Sequence, residues 1–284
     1  MAISRIGIVG SGIMGSGIAE VAATTGHEVV LRSRSLESAQ AMVAGLEKSL
    51  ARQVEKGRRE QADADAALAR VTATADLADL ANCDLVLESV VEDLDIKLAL
   101  FRELDAICGP DTIIATNTST LPVVEMAMVT SRPGKVCGVH FFNPAPAMSL
   151  VEIIRPITAD EETIASVKAF AEACGKQAVE VADRAGFIVN ALLFPYLNNA
   201  VRLLENGVAS RDDIDTAMKG GCNFPMGPLA LLDLVGLDTS VSILDALYDE
   251  FRDPNFAPVP RLRRMVTAGH LGRKSGQGFY DYRK

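Results

Sequence analysis

Ile6-Gly7-Ile8-Val9 and the six residues after it, Gly10-Ser11-Gly12-Ile13-Met14-Gly15, restrict this chain more than any other segment. A short apolar strand that runs into G-x-G-x-x-G and then a helix is the fingerprint of a βα unit built around a pyrophosphate. Gly10 permits the tight turn, Gly12 lets the backbone approach the phosphates, and Gly15 allows helix and strand to pack closely. Free N–H groups at the helix start, where Ile13 and Met14 sit, then receive the negative charge. An ordinary glycine turn is the alternative reading, and the strand before and helix after argue against it.

The rest of the chain extends the pattern. Glu28-Val29-Val30-Leu31, Asp84 to Glu88, Thr112 to Thr116 and Lys135 to Val139 are short apolar runs separated by longer amphipathic ones. Continuous apolar runs of this length predict strands buried on both faces of a mostly parallel sheet covered by helices. Near Asp183-Arg184-Ala185-Gly186 the spacing becomes helical, with Ile188, Leu192, Leu193, Tyr196, Ala200 and Leu203 in phase. The expected architecture is therefore α/β, a Rossmann-type doubly wound, mostly parallel sheet over residues 1–183, followed by an all-helical domain over residues 184–284.

Charge and cysteine content narrow the function classes. A net charge of −9 repels phosphate backbones and anionic lipid, so nucleic-acid and membrane partners are not expected. The N-terminal residues lack a signal-peptide pattern, and no apolar stretch reaches the roughly 18 residues of a membrane span. Five scattered cysteines with no CxxC pair fit buried apolar residues in a reducing cytoplasm better than a disulfide framework or a metal cluster. No metal site is expected.

At the end of the second strand a carboxylate normally holds the ribose 2′-hydroxyl of NAD. Here the residues are Leu31-Arg32-Ser33-Arg34. A serine between two arginines tolerates, and can attract, a 2′-phosphate. NADP(H) is then at least accepted alongside NAD(H); the alternative is that both arginines are merely solvated.

Three histidines are present. His27 reads as a surface turn residue before strand two, and His270 lies in a second turn. His140 instead ends the run Val136 to Val139, where open α/β sheets bind their ligands. Glu152 lies within Leu150-Val151-Glu152-Ile153-Ile154, and a carboxylate inside an apolar strand is costly unless paired. Twelve residues separate the two, enough for adjacent strands, and a carboxylate on one imidazole nitrogen fixes the tautomer and favours the imidazolium. Glu152 on a solvated edge strand is the alternative. Ser119 follows another strand end and reads as a ligand contact or a helix cap. Asn190, among apolar residues of a helix, needs partners that are structural or functional. Lys97 and Lys274 read as surface residues. Lys48, Arg52 and Lys56 form a basic stripe beside Ser49, suited to an anion such as the phosphates of coenzyme A or simply solvated.

Several longer motifs carry a resemblance over nearly the whole chain. They are Gly10–Gly15, Asn117-Thr118-Ser119-Thr120-Leu121, His140-Phe141-Phe142-Asn143-Pro144, Leu150-Val151-Glu152, Gly186-Phe187-Ile188-Val189-Asn190, Pro225-Met226-Gly227-Pro228 and Gly276-Gln277-Gly278-Phe279-Tyr280. With these the chain resembles the L-3-hydroxyacyl-CoA dehydrogenases, especially the bacterial 3-hydroxybutyryl-CoA enzymes. The resemblance implies His140 as general base, Glu152 as its partner, and Ser119 and Asn190 at the substrate. It assigns Glu92, Lys97, Asn143 and Lys274 to the cofactor, with Ser119 touching both ligands, and Ser49 and Lys56 to coenzyme A. It implies an acyl-CoA substrate and a homodimer formed through the helical domain. Ser33 in place of aspartate, Ala191 in place of arginine and Ser149 in place of lysine depart from the family pattern. A dehydrogenase of a non-CoA hydroxyacid and a non-catalytic nucleotide-binding protein are the competing readings.

Overall fold

The apolar runs assemble as one eight-stranded sheet. The computed structural model describes residues 2–283, and the chain divides into two compact units, the first ending at Asp183 and the second starting at Arg184.

In the first unit the strands are β1 (Arg5–Val9), β2 (Glu28–Arg32), β3 (Val71–Thr74), β4 (Leu85–Glu88), β5 (Ile113–Thr116), β6 (Val136–Phe141), β7 (Leu150–Arg155) and β8 (Gln177–Ala182). Their order across the sheet is β3-β2-β1-β4-β5-β6-β7-β8. Every pairing is parallel except β6 with β7. Helices α1 (Ile13–Thr24), α2 (Leu36–Glu55), α3 (Gln61–Ala69), α4 (Leu94–Ile107), α5 (Val123–Met128) and α6 (Glu161–Ala173) link the strands. The chain builds outward from β1 in one direction, then returns to its other side at β4. That reversal opens a crevice beyond the carboxyl ends of β1 and β4, where ligands of such sheets bind.

Burial explains which runs became which strands. All residues of β4, β5 and β6 are buried, as a central strand with both faces covered requires. Each fully buried Val, Leu or Ile in them contributes roughly 1.5–3 kcal/mol. The outer strands β3 and β8 are mostly exposed or half-buried, so Val71–Thr74 carries a weak apolar signal and is not evident from the sequence. Strand β6 runs two residues beyond the expected end at Val139, because Phe141 pairs with Val151 across the hairpin. His140 therefore sits inside the strand, not after it.

Two expectations fail here. His27 is buried rather than a surface residue: its Nδ1 lies 3.3 Å from the Ala22 carbonyl and its ring packs edge-on against Phe170. Burial lowers its pKa, only partly opposed by that backbone contact. Of the five cysteines, Cys222 is exposed and the other four are buried.

The second unit comprises α7 (Val189–Glu205), α8 (Arg211–Cys222), α9 (Pro228–Val235), α10 (Leu237–Phe251) and α11 (Pro260–Thr267). Its core gathers Leu197, Val201, Leu229, Leu232, Leu244 and Leu262. Two buried aspartates organise the turns. Asp215 accepts the N–H groups of Leu229 and Ala230, and Asp233 accepts those of Phe279 and Tyr280. A Cβ at Gly227 would lie 2.2 Å from the Asp215 carboxyl carbon, and one at Gly278 2.0 Å from an Asp233 oxygen. Gly227 of the Pro225–Pro228 motif and Gly278 of the Gly276–Tyr280 motif are thus required by packing against these carboxylates. Among the described residues, no helix is long and apolar enough to cross a membrane.

Candidate active site

The turn after β1 has the form of an anion cradle. Gly10 has φ +128°, and a Cβ there would lie 2.2 Å from the Ser89 carbonyl oxygen. A Cβ on Gly15 would lie 2.3 Å from the Gly10 oxygen, while nothing stands within 4 Å of one on Gly12. Gly12 is the N-cap of α1 and offers no side-chain bond to its first N–H groups, and no acidic residue occupies the first turn. These orphan donors in open space fit a dinucleotide pyrophosphate. Ile13 is exposed, and Met14 is half-buried.

At the end of β2, the N–H of Ser33 donates to the Thr74 carbonyl and its side chain is buried. Arg34 is exposed. Arg32 is half-buried and its Nε donates to the Ala75 carbonyl, so one of the two arginines expected to flank the ribose is committed to the backbone.

A buried polar network fills the carboxyl ends of β4 and β5. Lys97, which reads as a surface residue, is only 1% exposed. Its Nζ lies 2.7 and 2.8 Å from the two oxygens of Glu88 and 3.3 Å from Glu92. Glu92 accepts the Thr118 hydroxyl at 2.5 Å and the Ser119 N–H at 3.0 Å. Burial pushes its carboxyl up, but the Lys97 charge and these hydrogen bonds prevail and hold it below the usual range. Ser119 thus has its backbone fixed by Glu92 and its half-buried side chain beside the crevice. Glu88 escaped the sequence reading, although the signal was there: it ends an otherwise apolar strand.

On the other side of β5 the antiparallel register sets His140 opposite Glu152. Side chains of directly opposed residues share a face, and here His140 Nδ1 lies 2.8 Å from Glu152 Oε2. Both residues are buried. The Phe142 ring stands 4.5 Å from the imidazole, centroid to centroid. Asn117 accepts the Phe141 N–H at 2.8 Å, tying the loop after β5 to β6. The following loop carries the exposed Asn143. Lys176, unremarked in the sequence, clamps that loop by donating to the Ala145 and Met148 carbonyls, both at 2.7 Å. A Cβ on Gly17 would lie 3.2 Å from that of Ala145, so the same loop rests on α1.

The remaining sequence-predicted residues lie on other elements. Lys48, Arg52 and Lys56 are exposed along α2 and its C-cap, and Ser49 is half-buried beside them. In the second unit Asn190 is buried on the first turn of α7. Lys274 is about half exposed and pairs with Asp238, 2.7 Å from its Oδ2.

Comparison with known proteins agrees in extent and in kind. The family described as 3-hydroxyacyl-CoA dehydrogenase, NAD binding domain, matches residues 5–184, and the C-terminal domain of that family matches residues 186–282. A 3-hydroxybutyryl-CoA dehydrogenase of Mycobacterium tuberculosis is 47% identical, with 99% of each chain covered. A probable 3-hydroxybutyryl-CoA dehydrogenase of Bacillus subtilis is 46% identical over 99% of this chain and 98% of the relative. The crystal structure of (S)-3-hydroxybutyryl-CoA dehydrogenase PaaH1 from Ralstonia eutropha superimposes with a TM-score of 0.97 at 43% identity, covering 100% of both chains. A two-part match along the whole length, joined to a glycine-rich cradle and a buried histidine–carboxylate pair, leaves one conclusion: the chain belongs to the 3-hydroxyacyl-CoA dehydrogenase family.

Proposed function

We propose that this protein interconverts short (S)-3-hydroxyacyl-CoA and 3-ketoacyl-CoA thioesters with a nicotinamide dinucleotide, 3-hydroxybutyryl-CoA and acetoacetyl-CoA being the preferred pair. The observation that carries the reading is the His140–Glu152 pair, buried at the rim of a sheet whose first strand leads into a dinucleotide cradle. The names of the relatives support the four-carbon substrate.

The chemistry follows from the pair. A carboxylate accepts but does not donate, so Glu152 selects the imidazole tautomer with hydrogen on Nδ1 and puts the basic lone pair on Nε2. In the oxidising direction Nε2 takes the proton of the 3-hydroxyl group. The bound nicotinamide supplies the hydride acceptor. In the reducing direction the imidazolium returns its proton to the new alkoxide. Glu152 stabilises that imidazolium, whose charge would otherwise be buried without compensation. A base placed in this way contributes roughly 10²–10⁴-fold.

Ser119 and Asn190 hold the substrate near its reacting oxygens, with Ser119 also at the cofactor. Gly10, Gly12, Ile13, Met14 and Gly15 hold the pyrophosphate. Glu92, Lys97, Asn143 and Lys274 bind the remainder of the cofactor, and Ser49 and Lys56 bind coenzyme A. NADP(H) is accepted as well as NAD(H), because Ser33 puts no carboxylate at the end of β2 to repel a 2′-phosphate and Arg34 beside it is exposed. The first unit is the dinucleotide-binding domain. The helical unit serves substrate binding and homodimer formation, and the enzyme works in the cytoplasm without nucleic-acid or membrane partners.

The test is reduction of acetoacetyl-CoA with NADH and NADPH side by side, against free hydroxyacids run in oxidation. Turnover of the thioester with both cofactors is expected, with little of the free acids. Turnover confined to free acids would overturn the substrate assignment, and none with NADPH would overturn the dual cofactor use.

A further inference from the structure

Glu88 has no part in the mechanism above, yet it is the most heavily bonded buried carboxylate of the crevice. It is fully buried and receives four hydrogen bonds: two from Lys97 Nζ at 2.7 and 2.8 Å, one from the Thr116 hydroxyl at 2.7 Å, and one from the Val90 N–H at 2.6 Å. In register it lies between Val9 of β1 and Thr116 of β5, at the point where the strand order reverses.

We infer that Glu88 is a positioning residue that shapes the dinucleotide crevice from beneath, by holding the Lys97 ammonium and the backbone at residues 89–90 in place. The inference rests on the dinucleotide reading of that crevice. Being fully buried, Glu88 does not itself reach a ligand. What it holds lies closer to one. The Ser89–Val90 backbone is the wall against which the Gly10 turn packs, with an added Cβ on Gly10 falling 2.2 Å from the Ser89 oxygen and 3.1 Å from the Val90 nitrogen. The ammonium it fixes stands 3.3 Å from Glu92, which in turn receives the Ser119 N–H and the Thr118 hydroxyl. One carboxylate thereby joins three loops: the glycine turn after β1, the segment after β4 and the segment after β5.

Charge makes the link specific. A buried ammonium needs a compensating anion, and Glu88 supplies it at shorter range than the partly exposed Glu92. With Glu88 neutral, Lys97 would be left to Glu92 alone and drawn toward the crevice mouth, and the bonds that place Ser119 would be disturbed with it.

The experiment uses Glu88→Gln. The carboxamide oxygen accepts the Val90 N–H and one Lys97 bond, and its NH2 donates to the Thr116 hydroxyl; Lys97 loses its second bond and the negative charge opposite it. A displaced Lys97 costs the cofactor up to one charged hydrogen bond, roughly ten- to hundredfold in affinity, so Kd for NADH, read by calorimetry without substrate, is expected to rise by at least about tenfold. The KM for NADH should rise with it, and by more than the KM for acetoacetyl-CoA, which feels the change only through Ser119. In Lys97→Met the same route is already cut, so Glu88→Gln/Lys97→Met should bind NADH no more weakly than Lys97→Met alone. An NADH Kd for Glu88→Gln within about twofold of the unaltered protein overturns the inference, as do additive losses or equal losses for both substrates. If Glu88→Gln does not fold, Thr116→Val, which removes the Thr116 tether on Glu88 together with the acceptor of the Thr118 N–H and keeps the ion pair, must raise the NADH Kd severalfold; no change overturns the inference. If the unaltered protein binds no nicotinamide dinucleotide, the dinucleotide reading itself fails; binding by the unaltered protein with unmoved variants defeats only the role of Glu88.

Discussion

Glu152→Gln separates what the carboxylate does by charge from what it does by shape. Glutamine keeps the volume and the position opposite His140, and its carbonyl oxygen still accepts the Nδ1 hydrogen across a gap now 2.8 Å wide. Tautomer and ring orientation are therefore retained, and the negative charge alone is lost. The effect falls where His140 becomes an imidazolium. A charge-assisted bond contributes about 1.5–3 kcal/mol, and two unit charges 4 Å apart at an effective dielectric of 20 interact by about 4 kcal/mol. The two bounds predict a fall in turnover of roughly 10- to 1000-fold. Glu152 is buried behind the imidazole, so binding of the thioester should change little. Steady-state reduction of acetoacetyl-CoA at saturating NADH separates kcat from KM. Removing a buried charge should not lower the melting temperature, and that control excludes general damage. A kcat within about threefold of the unaltered protein would refute the electrostatic argument, because no coupling of the expected size is that small.

Three further outcomes are expected. Ser33→Asp should shift preference toward NADH by placing a carboxylate where the 2′-phosphate would lie; an unchanged NADPH/NADH ratio of kcat/KM would remove Ser33 from cofactor choice. Lys56→Ala should raise the KM of CoA thioesters by roughly 10- to 100-fold if one charged hydrogen bond is lost, while matching pantetheine thioesters are unaffected; equal losses on both would place Lys56 outside the CoA site. Glu92 has a folded-state pKa below its unfolded one, so its contribution to stability is present above the unfolded value and is lost as pH falls through the folded value. Urea unfolding at about pH 5 and about pH 3 should thus show a smaller acid loss in Glu92→Gln than in the unaltered protein, and identical losses would contradict the shift.

The sequence made the sheet legible where strands are buried on both faces and obscure where they are not. Leu85–Glu88 and Ile113–Thr116 are continuous apolar runs because helices cover both sides, whereas Val71–Thr74 lies at the margin and carries mixed residues. Strand ends depend on partners distant in sequence: β6 reaches Phe141 only because Val151 pairs with it. The same limit applies to the polar residues. Glu152 stood out as a charge in an apolar strand, and the hairpin register then set it against His140. Glu88 bears the same mark at a strand end, where a charged residue is ordinarily taken as solvated. Lys97 reads as a helix surface residue because its burial depends on Glu88, nine positions away, and on the sheet beneath α4. His27 misled for a similar reason, since a turn next to glycine reads as exposed but this one is packed against Phe170 of α6.

The imidazole of His140 is the acid–base group on which the chemistry turns, and the most direct test of that role is His140→Gln with turnover and cofactor binding measured on the same preparation. Reduction of acetoacetyl-CoA should fall by roughly 10²–10⁴-fold, while the Kd for NADH, measured by calorimetry, stays unchanged. Turnover close to that of the unaltered protein would contradict the account at its centre.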